Sequence, residues 1–147
     1  MKQTLTKTEI KKLIPHREPI LLVDEVTAWE AHKWIKAKRF FPENDIYFEG
    51  HFPGDPYLPG MLTVEAIAQA AAILTSISEQ IDVTNGYYVF TGITNVKLAA
   101  PVRPGDTLMI EAEKIRDKLG IYVFAGKATV NGKLAAQASF SAKLIHK

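Results

Sequence analysis

The sequence contains no cysteine, which excludes disulfide frameworks, thiol nucleophiles and cysteine-ligated zinc together. It also lacks a dominant charge: 18 basic residues against 16 acidic ones leave a formal net charge of +2, too weak to imply nucleic acid as a partner. The start, Met1-Lys2-Gln3-Thr4-Leu5-Thr6-Lys7, has no apolar stretch of the secretory type, so a cytoplasmic protein is expected. The longest apolar segment, Met61 to Ile77, is interrupted by Glu65, Gln69 and small polar residues. It reads as a buried helix, with no membrane insertion expected. No glycine-rich phosphate loop follows a strand, and no metal-ligand spacing joins the histidines at 16, 32, 51 and 146.

What remains is enough for a core. Of 147 residues, 47% are hydrophobic, and a single domain over residues 1–147 is expected. Thr6 to Ile14 reads as a short amphipathic helix ended by Pro15. Ile20 to Trp29 and Trp34 to Phe41 suit strands joined through Glu30-Ala31-His32-Lys33. Gly50 to Gly60 holds three prolines and three glycines, which neither a helix nor a central strand tolerates. Met61 to Glu79 follows as a helix apolar nearly all round, as in one enclosed by other structure.

The second half alternates with period two. Tyr88, Phe90, Gly92, Thr94, Val96 and Leu98 form one series, and Leu108, Ile110 and Ala112 another. Tyr122 to Val130 and Leu134 to Leu144 continue the pattern across Asn131-Gly132, a tight hairpin signal. Pro104-Gly105-Asp106 and Asp117 to Gly120 are turn-like. An α+β architecture follows, an antiparallel sheet wrapped on one long central helix.

Within the helix, Glu65 is the one carboxylate deep in an apolar run, and Gln69 shares its face four residues on. A buried carboxyl is paired, hydrogen-bonded or kept protonated; a Glu reaching solvent at a sheet edge is the alternative. His51 has an alternative as well, a loop histidine bonded to backbone. The Pro/Gly-rich loop leads straight into the helix start at Gly60, where unpaired N–H groups and the helix dipole favour negative charge. An imidazole, a semi-buried carboxyl and an anion-binding amide suit elimination of water from a 3-hydroxyacyl thioester. His51 would remove the C2 proton, the Gly60 amide would stabilise the enolate oxygen, and Glu65 would protonate the departing C3 hydroxyl.

Gly50-His51-Phe52-Pro53-Gly54-Asp55-Pro56, then Leu58-Pro59-Gly60-Met61-Leu62 and Glu65-Ala66-Ile67-Ala68-Gln69, resemble the signature of the β-hydroxyacyl-acyl carrier protein dehydratases of bacterial fatty-acid synthesis. Pro15-His16-Arg17-Glu18-Pro19 with Leu21-Leu22-Val23-Asp24, and Pro101 to Asp106, resemble two further segments, so that the likeness runs from Leu13 to Leu144. The resemblance implies the hotdog fold and conversion of a (3R)-hydroxyacyl chain on acyl carrier protein to the trans-2-enoyl product, with no cofactor. It implies a homodimer whose two sites each take the His from one subunit and the acid from the other, often assembled as a trimer of dimers. Carried over by position, it makes His51 and Glu65 catalytic and Gly60 the carbonyl-binding amide. Gln69, Phe52, Tyr57 and Leu58 are added as substrate-binding candidates beside them.

Glu at position 65 matches the dehydration-only branch, since a sister family that also isomerises its product has Asp there. Two segments depart from the pattern: Tyr57-Leu58, where smaller or less aromatic residues are usual, and Lys97-Leu98-Ala99-Ala100, where Arg and Phe are commoner. Docking of an acidic carrier would then fall to local basic residues such as Lys97 and Arg103. His16 reads as a structural turn residue. The rival functions are a hotdog thioesterase and a non-catalytic acyl-binding subunit of the same fold.

Overall fold

The structure, a computed structural model, describes residues 4–146; the opening Met1 to Gln3 and the final Lys147 lie outside the described residues. Thr6 caps a short helix α1 (Lys7–Ile10) through a capping box with Glu9. The helix ends four residues earlier than expected, the chain continuing as a turn that still buries Ile10 and Ile14. Strand β1 (Glu25–Glu30) likewise starts later than the expected Ile20. The reason lies in the helix that follows: the Gln69 side chain takes the Leu22 N–H at 2.7 Å and the Ile20 carbonyl at 2.7 Å, groups a strand ladder would use. Leu21, Leu22 and Val23 are buried as irregular chain.

A hairpin leads to β2 (Trp34–Phe40), then a single 3₁₀ turn at Ile46–Phe48, then the irregular loop into helix α2 (Gly60–Glu79). Gln80, in the left-handed conformation, ends α2, and the Ile81 N–H closes back on the Ser76 carbonyl at 2.9 Å. Four long strands complete the chain: β3 (Gly86–Leu98), β4 (Thr107–Lys118), β5 (Ile121–Val130) and β6 (Lys133–His146). Asn131-Gly132 turns with both residues at positive φ, as expected; Leu119-Gly120 does the same, so β4 runs on to Lys118 and that turn is tighter than the four residues suggested.

All pairings are antiparallel, in the order β1-β2-β4-β5-β6-β3. The sheet curls round α2, which packs on β2, β4, β5 and β6, giving the α+β hotdog arrangement. At Gly126 the helix comes so close that a Cβ would overlap Ile67. Helix α2 is long and apolar enough to cross a membrane by length and composition, but it is the core of this sheet and two-thirds buried in it. Strand β3 corrects its expected alternation. Bulges between Phe90 and Gly92 and between Thr94 and Lys97, with Asn95 at φ 53°, break the period. Its outer edge is unpaired among the described residues, and Ile93, Val96 and Leu98 are exposed.

Candidate active site

The loop before α2 holds His51 from several directions. Its Nδ1 lies 2.9 Å from the Tyr57 carbonyl, and its own carbonyl accepts the Tyr57 N–H at 2.8 Å. A carbonyl only accepts, so Nδ1 carries a proton, and in the neutral ring the lone pair is then on Nε2. The expectation of a backbone-bonded loop histidine is met at one ring nitrogen, and that bond frees the other. Phe52 stacks on the imidazole at 4.2 Å between ring centroids and Tyr57 meets it edge-on at 4.7 Å. The loop is tied to the strand side by Arg103, whose guanidinium contacts Asp55 (2.7 Å) and the Pro56 carbonyl (3.2 Å) and lies over the Tyr57 ring. Arg103, expected as a carrier-docking residue, is engaged within its own chain.

His51 opens on a pocket of about 490 Å³ lined by Tyr57, Leu58, Gly60, Thr63 and the segment Leu98 to Arg103. Gly60 is the first residue of α2, and a side chain there would press on Leu98, 2.7 Å from where its Cβ would stand. Three expected substrate-binding residues, Gly60, Tyr57 and Leu58, thus share the pocket with His51, and Phe52 flanks the imidazole while half exposed.

Glu65 is not in that pocket. Successive helix residues turn by about 100°, so Glu65 projects about 200° round α2 from Thr63, on the opposite side. There its Oε2 accepts from Gln69 Nε2 at 2.8 Å, as the four-residue spacing suggested. Gln69, expected among the substrate-binding residues, is buried outside that pocket, and its amide accepts from Leu22 N–H and donates to the Ile20 carbonyl and to Glu65.

Two residues near Glu65 escaped the sequence reading. His16 Nε2 stands 3.7 Å from Glu65 Oε2. Burial lowers its pKa from the ordinary histidine value, Glu65 opposing and Arg17 adding to the shift. Tyr47 donates its hydroxyl proton to the Pro19 carbonyl; burial holds that hydroxyl above its ordinary range, with Asp45 and Glu65 working the same way and Arg39 against. The only signal for His16 lay in the Pro15 to Pro19 segment, where it looked like part of a turn.

Comparison with known proteins identifies the family. The family model described as the FabA-like domain matches residues 14–139. The 3-hydroxyacyl-acyl-carrier-protein dehydratase FabZ of Nitrosospira multiformis is 44% identical over 131 residues, covering 88% of this chain and 90% of that protein. FabZ of Burkholderia lata is 48% identical over 131 residues, covering 88% and 84%. Among solved structures, the dehydratase heterocomplex ApeI:P from Xenorhabdus doucetiae superposes with a TM-score of 0.78 at 15% identity, covering 94% of this chain and 91% of that one, a likeness of fold. The chain belongs to the FabA-like family and, within it, to the FabZ dehydratases.

Proposed function

We propose that this chain dehydrates 3-hydroxyacyl chains carried on acyl carrier protein in fatty-acid synthesis, working in the cytoplasm as one hotdog domain over residues 1–147. The observation that carries the reading is the Nδ1 bond from His51 to the Tyr57 carbonyl, which leaves Nε2 of the neutral ring available as a base in a residue that lines a pocket as polar as it is apolar. Nε2 removes the C2 proton. The electron pair moves into the thioester carbonyl, and the developing oxyanion is stabilised at the start of α2, at the Gly60 amide. The pair then returns to form the C2–C3 double bond as the C3–O bond breaks. The departing hydroxyl takes a proton from Glu65 and leaves as water. His51 ends protonated and Glu65 ionised, and a proton passed back through solvent resets both.

Since His51 and Glu65 face opposite sides of α2, the acid for one His51 comes from a second copy of the chain. The open edge of β3 supports this, with Ile93, Val96 and Leu98 exposed on a strand whose last residue overlies Gly60. Antiparallel pairing of two such edges about a two-fold axis would complete two sites at once; association of three such dimers extends the same reading.

The test is turnover of a 3-hydroxyacyl thioester on carrier protein, followed by formation of the enoyl product. His51→Ala is expected to lose on the order of 10²–10⁴ in kcat. Substantial dehydration by that variant at neutral pH without added imidazole contradicts the assignment, and release of free thiol without enoyl product identifies thioester hydrolysis instead.

A further inference from the structure

Behind Glu65 lies a group for which the reaction as written has no use. His16 sits on the irregular segment between α1 and β1, and the segment is pinned where it is. Arg17 donates to the carbonyls of Ile14 (2.9 Å), His16 (2.7 Å) and Lys11 (2.9 Å), and Gln69 holds Ile20 and Leu22. The backbone that carries the imidazole is thereby fixed beside Glu65. Its Nε2 faces Glu65 Oε2 at 3.7 Å, and its Nδ1 is buried with no hydrogen-bond partner among the described residues.

That unpartnered nitrogen identifies the tautomer. An N–H at Nδ1, whether in the neutral Nδ1–H form or in the imidazolium, would be buried without an acceptor, an expensive arrangement. The proton therefore sits on Nε2, directed at the carboxyl, and Nδ1 is the bare acceptor. Burial, which lowers the pKa of His16, favours the same neutral state. One oxygen of Glu65 then accepts from Gln69 Nε2–H at 2.8 Å and has His16 Nε2 next to it at 3.7 Å, just outside hydrogen-bond distance. An oxygen that already accepts a hydrogen bond is the poorer place for a carboxylic acid's proton, which leaves Oε1 to carry it when Glu65 acts as the acid.

We propose that His16 is a positioning residue for Glu65, a neutral Nε2–H donor that confines the transferable proton to Oε1 and stabilises the carboxylate left when that proton goes to the departing hydroxyl. The proposal rests on the reading of Glu65 as the acid. A contact of 3.7 Å in the resting enzyme is long for a hydrogen bond, and such contacts shorten as charge develops in the transition state. Its contribution is therefore larger at the transition state than in the bound substrate complex, and appears in kcat and not in KM. The other charged or titratable groups facing the pair are Arg17, adjacent in the chain, and Tyr47.

The experiment compares kcat and KM of the full-length enzyme with His16→Ala, His16→Gln, Glu65→Gln and the double variant His16→Ala/Glu65→Gln. Glutamine places an Nε2–H near the position of the histidine Nε2. His16→Ala is expected to lower kcat about 10- to 100-fold with KM nearly unchanged. His16→Gln is expected to recover most of that loss, and the double variant to be no slower than Glu65→Gln alone. A wild-type kcat in His16→Ala overturns the proposal. So does a loss that His16→Gln fails to recover while its denaturation midpoint stays normal, or a double variant whose losses add. Undiminished dehydration by Glu65→Gln is a separate outcome: it removes Glu65 as the acid, and the positioning role with it.

Discussion

The two side chains proposed to react, His51 and Glu65, are held in opposite ways. His51 rides on a loop between a 3₁₀ turn and α2, and its surroundings are aromatic and partly open: Phe52, Tyr57 and an exposed ion pair from Arg103 to Asp55. Glu65 is fixed in the body of a buried helix, and its surroundings are polar and inward: a buried glutamine, a histidine and a tyrosine. The His51 half shapes a pocket. The Glu65 half is built to hold one carboxyl oxygen still. On the proposed reading the two halves meet only between two copies of the chain, and the open edge of β3 is where such copies would join.

The largest effect should follow from preventing that junction. Ile93→Lys with Val96→Lys places charge on the open β3 edge, and sedimentation should show a lower mass, with dehydration reduced on the order of 10²-fold or more as each site loses its acid. Thr27→Lys, on the opposite edge strand β1, is the control and should change neither. That edge is six residues long and already bridged by Leu5, whereas β3 has thirteen.

Within the Glu65 half, Gln69→Leu strips partners from the Leu22 N–H and the Ile20 carbonyl. Urea unfolding should report a loss of about 1–3 kcal/mol for the buried Leu22 N–H left unpaired, and less for the more exposed Ile20 carbonyl. An unchanged midpoint would mean that the segment from Ile20 to Leu22 does not depend on Gln69.

The His51 half should be more forgiving. Arg103→Gln breaks an exposed ion pair, of the kind that contributes up to about 1 kcal/mol, so kcat should fall at most about fivefold. The fall should be equal for carrier-bound substrate and a short thioester mimic. A rise in KM confined to the carrier-bound substrate would return Arg103 to a docking role.

The smallest effect is on stability against pH. Burial depresses the pKa of His16 below its ordinary value of 6.5, so below that pH the unfolded chain binds a proton that the folded chain refuses. Stability from this residue is complete above pH 6.5 and is lost as the pH falls toward the lower folded value. His16→Gln should flatten that part of the profile, measured as denaturation midpoints across the acid range.

Local features were legible in the sequence. The Glu65–Gln69 contact follows from helical spacing, the Asn131-Gly132 turn from residues that accept positive φ, and the central helix from its apolar run. What was not legible depends on contacts far apart in the chain. Gln69 recruits Ile20 and Leu22 from nearly fifty residues upstream, which delays β1 and brings His16 to the acid. No local pattern encodes that choice, since an amide four residues from a carboxylate could as well have pointed at substrate. The bulges of β3 escaped for a related reason: its apolar residues look like a two-faced strand, but several of them remain exposed on an edge with no partner in the chain.

Mixing two inactive variants tests the shared site directly. His51→Ala and Glu65→Gln should each be inactive alone, while a mixed dimer regains one intact site, with His51 from one chain and Glu65 from the other. After complete subunit exchange of equal amounts, roughly a quarter of wild-type activity should return, since half the dimers are mixed and each carries one working site of two. No recovery after exchange has been verified would contradict the shared site.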